Sequence, residues 1–439
     1  ENLLSHAFED ITDQQVTALE LETGVQRMDS TQMASNILGM SRLQLLMEGL
    51  QRMWRILEET EQKTFEEWLG KYVQSGSGQY VYRVKGKEAT AAHTLEVGQA
   101  IDRLLAATRE KYAEANAYQV LSRLFEENFN CEAQEVEIKP NDQISSGCLQ
   151  SVDDLEATFR RKGPAKYKGY VANLTQTCDD DNPVQLITKV QVSPNNVDDA
   201  DLLIEALSDL KERTGIETLY ADGVYGSTDA DEKLDENEVK LIQTGIRGKS
   251  PSPDKLSLSE FEFTTDKGKP LMVKCPKGQQ VPVEPGRSTG FLAHFDYQIC
   301  ESCPFGMADQ CRAKPGKKNP AFTLRVTREQ INWARRRRNY ELFRQSSKNP
   351  RAAVEAAVRS VKHPFPAGKL PVRGLFRVTS MVVSSAAMSN VRCIHRFLSK
   401  KNKDESKEMD REAFYCSLLR SLTQSICLSF RLDFAAVGF

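Results

Sequence analysis

The chain predicts an α/β protein: a mixed sheet covered by helices, interrupted by one helical insertion and one cysteine-bearing insertion. Three observations carry this. Short segments rich in β-formers recur between residues 157 and 246 around a helical pattern over 199–213, and such alternation indicates a sheet with helices packed on it. Apolar residues at helical spacing, with few Gly or Pro, fill residues 41–130. Four of the ten cysteines gather between residues 275 and 311. With 439 residues, 40% hydrophobic and 27% charged, the chain can bury a large core in two or three structural units.

In chain order, residues 1–40 hold the first part of the core, with Val25 to Thr31 a short strand that ends on Asp29 and turns into a long helical pattern. Residues 41–135 form the helical insertion: Leu43, Leu45, Leu46, Leu50, Met53, Trp54 and Leu57, then Ile101, Leu104 and Leu105, recur on one helix face and serve mainly to bury a core of their own. Residues 150–247 are the central part of the core. Strands are expected at Ala157 to Arg161, Gly169 to Thr177 and Gln185 to Val192, then the helix Asp199 to Arg213. Next comes a strand from Glu217 that stops at Asp222 before Gly223 and Gly226, a short helix, and a strand Val239 to Ile246. Residues 248–330 are the cysteine-bearing insertion, and 331–400 the C-terminal helices of the core. Residues 401–439 are a charged linker, centred on Lys400 to Glu408, and a weakly amphipathic tail. There is no internal repeat.

Asn349 to Lys362 spaces Arg351, Glu355 and Lys362 as R-x3-E-x6-K. On one helix, Glu355 would lie about 40° and Lys362 about 20° around the axis from Arg351, so one carboxylate and two cations share a face. A structural helix can carry such a row as ion-pair support. Asp29 and Asp222, each at the end of a strand, are equally compatible with helix N-caps when taken singly.

Taken together, these residues make the chain resemble a bacterial insertion-sequence transposase of the DDE class, whose catalytic domain is RNase H-like. The resemblance rests on Met28 to Thr31 with Ser41-Arg42-Leu43, Leu149 to Arg160, Lys168 to Asn173, Ala221 to Gly226, Arg351 to Lys362, Val372 to Phe376, and Asn390. These run in order from about residue 20 to 398. It implies Asp29, Asp222 and Glu355 as catalytic carboxylates holding Mg²⁺ (or Mn²⁺). It further implies cutting at insertion-sequence ends and joining of the freed 3′-hydroxyl to target DNA. Arg351 and Lys362 would contact phosphate near the transposon end, or Arg351 would mainly pair Glu355. The implied partner is double-stranded DNA, bound by a homodimer, with no membrane, in a bacterial cytoplasm and at the nucleoid when bound. Two alternatives remain: a domesticated or decayed transposase that binds DNA without cutting, and a metal-dependent nuclease of the same fold.

The chemistry agrees with that trio. Phosphodiester cleavage needs an activated oxygen nucleophile and neutralised phosphate charge, which two divalent ions supply, and Mg²⁺ takes oxygen ligands from few carboxylates. The five His offer no competing triad. Asp154, before another strand in a well-matched motif, is the rival to Asp29. The pattern departs from the family at Lys348, where a Tyr is usual, and in starting at Glu1 without a Met. An upstream DNA-binding region is expected, so the chain is expected to be a fragment.

Cys275, Cys300, Cys303 and Cys311 supply four thiolates for a structural Zn²⁺, with one C-x2-C pair among them. The other cysteines, among them Cys393, Cys416 and Cys427, are expected as buried small hydrophobes. Ten cysteines in a long chain without a signal peptide or an apolar membrane-length span indicate a reduced, soluble, cytoplasmic protein. Net charge is −2, yet Arg312 to Arg344 holds eleven Lys or Arg against two Glu, including Lys314, Lys317, Lys318 and the run Arg335, Arg336, Arg337 and Arg338. That run is either a phosphate track or a solvated helix face. Trp333 and Tyr340 flank it and either stack on a base or pack.

Overall fold

A computed structural model describes residues 3–74, 84, 86–132, 135–246, 252, 254–266, 268–286, 290–316, 321–345 and 350–404, with backbone alone at 132, 351, 352, 367 and 401–404. Helix α1 (Leu3–Ala18) leads into β1 (Val25–Met33). The insertion follows as α2 (Arg42–Ile56), α3 (Glu59–Val73), α4 (Lys87–Tyr112) and α5 (Asn116–Asn128), closed by the hairpin β2 (Phe129–Glu132) and β3 (Glu135–Ile138). Ser41 and Gln44 start α2 with a reciprocal capping box. Leu46, Leu50, Met53, Leu69, Ile101, Leu104 and Leu121 bury themselves in a cluster confined to residues 43–152.

The central sheet adds β4 (Thr158–Lys162), β5 (Ala165–Thr177) and β6 (Ile187–Pro194), then α6 (Asp199–Thr214), β7 (Thr218–Ala221), α7 (Thr228–Glu236) and β8 (Lys240–Gln243). β1 lies between β5, antiparallel, and β7, parallel; β6 flanks β5, antiparallel, and β8 flanks β7, parallel, while β4 pairs the first part of β5. Alternation along β1 sends its residues to two cores. Met28 joins Leu219, Ala221 and Leu241 under α6 and α7. Met33 joins Tyr170, Ala172 and Leu174 on the opposite face, with residues of α1 and the C-terminal helices.

The cysteine-bearing insertion is built on a second, antiparallel sheet. Its strands are β9 (Glu262–Asp266), β10 (Lys269–Lys274), β11 (Gln280–Pro285), β12 (Gly290–Asp296), β13 (Lys314–Pro315) and β14 (Ala321–Thr327), in the order β13-β14-β12-β11-β10-β9. Short helices α8 (Tyr297–Glu301) and α9 (Pro304–Met307) fall between β12 and β13. The last three α-helices among the described residues are α10 (Arg328–Gln345), α11 (Val354–Lys362) and α12 (Leu375–Asp404). No helix among the described residues is long and apolar enough to cross a membrane.

Several expectations are corrected. β1 does not end on Asp29 but runs to Met33, because β5 is long enough to pair Ser30 through Met33 with Asn173 through Tyr170. Arg351, Glu355 and Lys362 do not share one α-helix. Pro350 opens a 3₁₀ turn over Pro350–Ala353 that holds Arg351, and α11 starts at Val354. The first residues of the expected charged linker belong to α12, which runs to Asp404; residues 405–439, with Cys416 and Cys427, lie outside the described residues. Cys178 is buried and Cys393 partly so, but Cys131 is exposed on the β2–β3 hairpin.

Several of the sequence motifs act as latches between units. Asp153 pairs Arg373 (3.1 Å) and also reaches Arg52 of α2. Glu156 accepts the Leu375 N–H at 2.7 Å, at the start of α12. Asn390 of α12 both donates to and accepts from the Ile187 backbone, at 2.9 and 2.8 Å, fixing β6.

Candidate active site

The parallel register of β1 and β7 pairs Val25 with Thr218 and Arg27 with Tyr220. Two residues further along stand Asp29, still in β1, and Asp222, just past the end of β7. The register of the pair ends two residues short of them; continued, it would place Asp29 opposite Asp222. Asp29 is flanked on β1 by Arg27 and Thr31, which point the same way. Asp222 leaves β7 with extended backbone and takes the Gly223 N–H on Oδ1 at 2.6 Å. A Cβ at Gly223 would meet the Gly245 carbonyl oxygen at 2.5 Å, so a glycine is needed to bring the β7 end this close to the β8 loop. Gly169 (φ 130°) plays a like part where β5 passes the end of β1, as its Cβ would lie 2.6 Å from the Met33 oxygen.

Helix α11 crosses this face, held at both ends by β1. At its entry, Arg27 Nη1 donates to the Pro350 carbonyl at 2.6 Å. At its exit, Lys362 Nζ donates to Thr31 Oγ1 at 2.9 Å and to the Gln32 carbonyl at 2.7 Å. Burial pushes both cations' pKa values below their ordinary range. Lys362, expected at phosphate, is thus engaged with β1. The Arg351 side chain and Lys348 lie outside the described residues. Glu355 sits one residue into α11, seven before Lys362, and so falls about 20° from it around the axis. Its side chain is 60% exposed and leans to Arg359, 4.0 Å away. Among the described residues no three His, Cys, Asp or Glu are gathered closely enough to hold a metal ion. Asp29 thus stands on β1, Asp222 just past the end of β7 and Glu355 on the helix packed against β1, without forming a ready metal cage.

Asp154 is placed differently. It is 2% exposed and accepts from Ser35 Oγ at 2.7 Å and Tyr170 OH at 2.5 Å. Tyr170 opposes Met33 across the β1–β5 pair, four residues past Asp29.

The arginine run on α10 is matched by acids of the protein. Arg335 grips Asp235 through both amino groups, at 2.5 and 3.1 Å. Arg336 lies 3.6 Å from buried Asp231, Arg337 3.1 Å from Glu341, and Arg338 3.3 Å from Glu262. Trp333 carries the Arg337 guanidinium 5.4 Å over its ring, and Tyr340 that of Arg344 at 5.9 Å. The run thus fastens α10 to α7 and β9. Lys314 pairs Asp309; Lys317 and Lys318 are outside the described residues.

Cys275, Cys300, Cys303 and Cys311 all line one cavity of about 210 Å³, walled by Leu256, Phe261 and Phe295. Gln279 Nε2 donates to Cys300 Sγ at 3.4 Å. Burial pushes the Cys300 and Cys311 thiols up, and the neighbouring cysteines add to this.

The sequence signals missed Arg27, whose partners Gln176 and Pro350 are remote in the chain. A lone Arg in a β-rich segment, two residues before an Asp, was the only hint.

Among comparisons with known proteins, the curated proteins and the solved structures give no match. A family model does match, over a segment that contains Glu355, Cys275 to Cys311 and Asn390 and leaves out Asp29 and Asp222. Residues 274–395 match the family described as Transposase DDE domain, and the resemblance of this chain to the DDE transposases stands on that match.

Proposed function

We propose that the chain is the catalytic region of a DDE transposase, with DNA as its substrate, and that its central sheet is RNase H-like. The reading rests above all on the parallel register of β1 and β7, which pairs Arg27 with Tyr220 two residues before Asp29 and Asp222. The strand order supports it too: three antiparallel strands, β6, β5 and β1, continue into the parallel pair β7 and β8. Asp29 and Asp222 offer oxygen ligands of the kind Mg²⁺ or Mn²⁺ prefers, and Glu355 is the third carboxylate on that face. A divalent ion bound there supplies neutralisation of phosphate charge and activation of a water or 3′-hydroxyl. The protein's own part is to fix the two aspartates by the sheet and the Gly223 N–H, and to carry Glu355 on a helix latched to β1. In this reading the enzyme cuts the element's ends and joins them to target DNA as a homodimer. Arg351 contacts phosphate there, and Lys362 orders the β1 end. We further propose that Zn²⁺ draws the four cysteines around their cavity into a tetrahedral set, as their chemistry suits.

The test is strand cleavage of supercoiled DNA carrying the element's ends with Mn²⁺, beside DNA binding. Asp29→Asn, Asp222→Asn and Glu355→Gln should each abolish cleavage and keep binding. Cleavage that persists in any of them removes that residue from the centre. A parent chain that binds the ends without cutting makes the non-cleaving relic the better account.

A further inference from the structure

We propose that Arg27 is a positioning residue of the carboxylate site, setting through the Pro350 carbonyl where α11 begins and so where Glu355 stands relative to Asp29. This rests on the reading of Asp29, Asp222 and Glu355 as one site.

Arg27 is 5% exposed. Its guanidinium donates three hydrogen bonds to neutral oxygens: Nε and Nη2 to Gln176 Oε1 at 3.0 and 2.8 Å, and Nη1 to the Pro350 carbonyl at 2.6 Å. Gln176 opposes Arg27 directly across the β1–β5 ladder, and its own Nε2 donates to the Gln185 carbonyl at 3.3 Å. That last bond fixes which way the amide faces and hence the plane of the guanidinium. Burying a cation against neutral acceptors is costly, and packing alone would be better served by an apolar side chain. What the guanidinium adds is direction. Its rigid fork binds a β5 side chain with one edge and the entry of α11 with the other, which a lysine ammonium cannot reproduce. Arg27 stands two residues before Asp29 on the same face of β1, and Pro350 five residues before Glu355. One side chain thus links the strand of the first carboxylate to the segment that delivers the third. Lys362 clasps Thr31 and Gln32 at the other end of α11, so the helix has a two-point mount with Asp29 between the points.

The experiment is a double-mutant cycle on Mn²⁺ affinity, read by the electron paramagnetic resonance of free Mn²⁺ titrated with this chain in the absence of DNA. Glu355→Gln should weaken Mn²⁺ binding about tenfold in the parent, and supporting residues change metal affinity by about 10–100-fold. In the Arg27→Lys background the further effect of Glu355→Gln should fall below about twofold, because Glu355 is already misplaced, while Asp29→Asn still weakens binding there. Gln176→Met, which keeps Arg27 but removes its orienting acceptor, should reproduce the loss of coupling and serves if Arg27→Lys fails to fold. An undiminished Glu355 effect in both backgrounds overturns the proposal and leaves the carboxylate site standing. A parent chain whose Mn²⁺ affinity ignores Glu355→Gln overturns the three-carboxylate reading itself, and the positioning role with it.

Discussion

A buried carboxylate is tolerated only where donors reach it, and Asp154 has two, the Ser35 and Tyr170 hydroxyls. That explains an acid in a strand-end motif without any ligand role. Asp154→Asn, which trades an acceptor for a donor facing those hydroxyls, should lower folding stability by about 1–3 kcal/mol while leaving Mn²⁺ affinity unchanged. A large loss of Mn²⁺ affinity in a well-folded variant would return Asp154 to the site. Tyr170 gives the same contact a pH signature. Burial first, and Asp154 second, raise the phenol's pKa well above its ordinary value. A raised folded-state pKa means the stabilisation is whole below the unfolded value, about 10, and is lost as pH rises beyond it. Alkaline denaturation above about pH 10 should therefore be steeper in the parent than in Tyr170→Phe, and equal slopes would disprove the coupling. At this scale the sequence revealed residue types but not partners. Asp29 and Asp154 looked alike because each precedes or sits in a strand; only the three-dimensional pairing of Tyr170 with Met33 separates them.

The interface of α7 and α10 shows the same limit for whole elements. The charge of Arg335 to Arg338 was plain in the sequence, but the acids that meet it, Asp231, Asp235 and Glu262, come from other elements and could not be assigned to it. Asp231 is the sensitive member. It is buried, and Arg336 lies 3.6 Å away without forming a hydrogen bond. Desolvation outweighs the Arg336 and Arg335 charges and raises its pKa from 3.8 to about 6. The sign follows: the contribution is fully present below about pH 3.8 and disappears as pH climbs through 6, so this group makes the fold lose stability across that window. The shift corresponds to roughly 3 kcal/mol at most. Asp231→Asn should flatten the fall in stability between pH 4 and 6.5, measured by urea unfolding at each pH; a parent whose stability rises throughout that range would sink the assignment. Other elements were more legible. Strands β5, β6 and β7 and helix α6 fall within a few residues of their expected places because their apolar alternation or periodicity is strong. The strands of the second sheet were less legible, since β9 alternates only between exposed and half-buried positions and carries a weak apolar pattern.

For the molecule as a whole, the question is what stabilises that second unit. Its sheet buries Val273, Ala293, Phe295, Leu324 and Val326 with Ile331 and Ala334 of α10, so it has a core, and the cysteine-lined cavity is walled by part of that core. The four cysteines reach that cavity from separate places: Cys275 after β10, Cys300 in α8, Cys303 at the cap of α9 and Cys311 before β13. With the Cys300 and Cys311 thiols raised by burial and by the cysteines beside them, uncharged thiols offer little attraction to hold these segments together. A divalent cation reverses this, because each thiolate it stabilises becomes a ligand and binding energy becomes folding energy. Elemental analysis of the native chain should find about one zinc per molecule. Cys300→Ser with Cys303→Ser should remove it, and chelation at neutral pH should lower the melting temperature of the parent but not of that double variant. The central sheet, with its own cores on both faces, should keep its Mn²⁺ affinity through the change. A native chain free of metal, whose melting ignores the chelator, would mean the thiols serve as ordinary packing and the second sheet stands on its hydrophobic core alone.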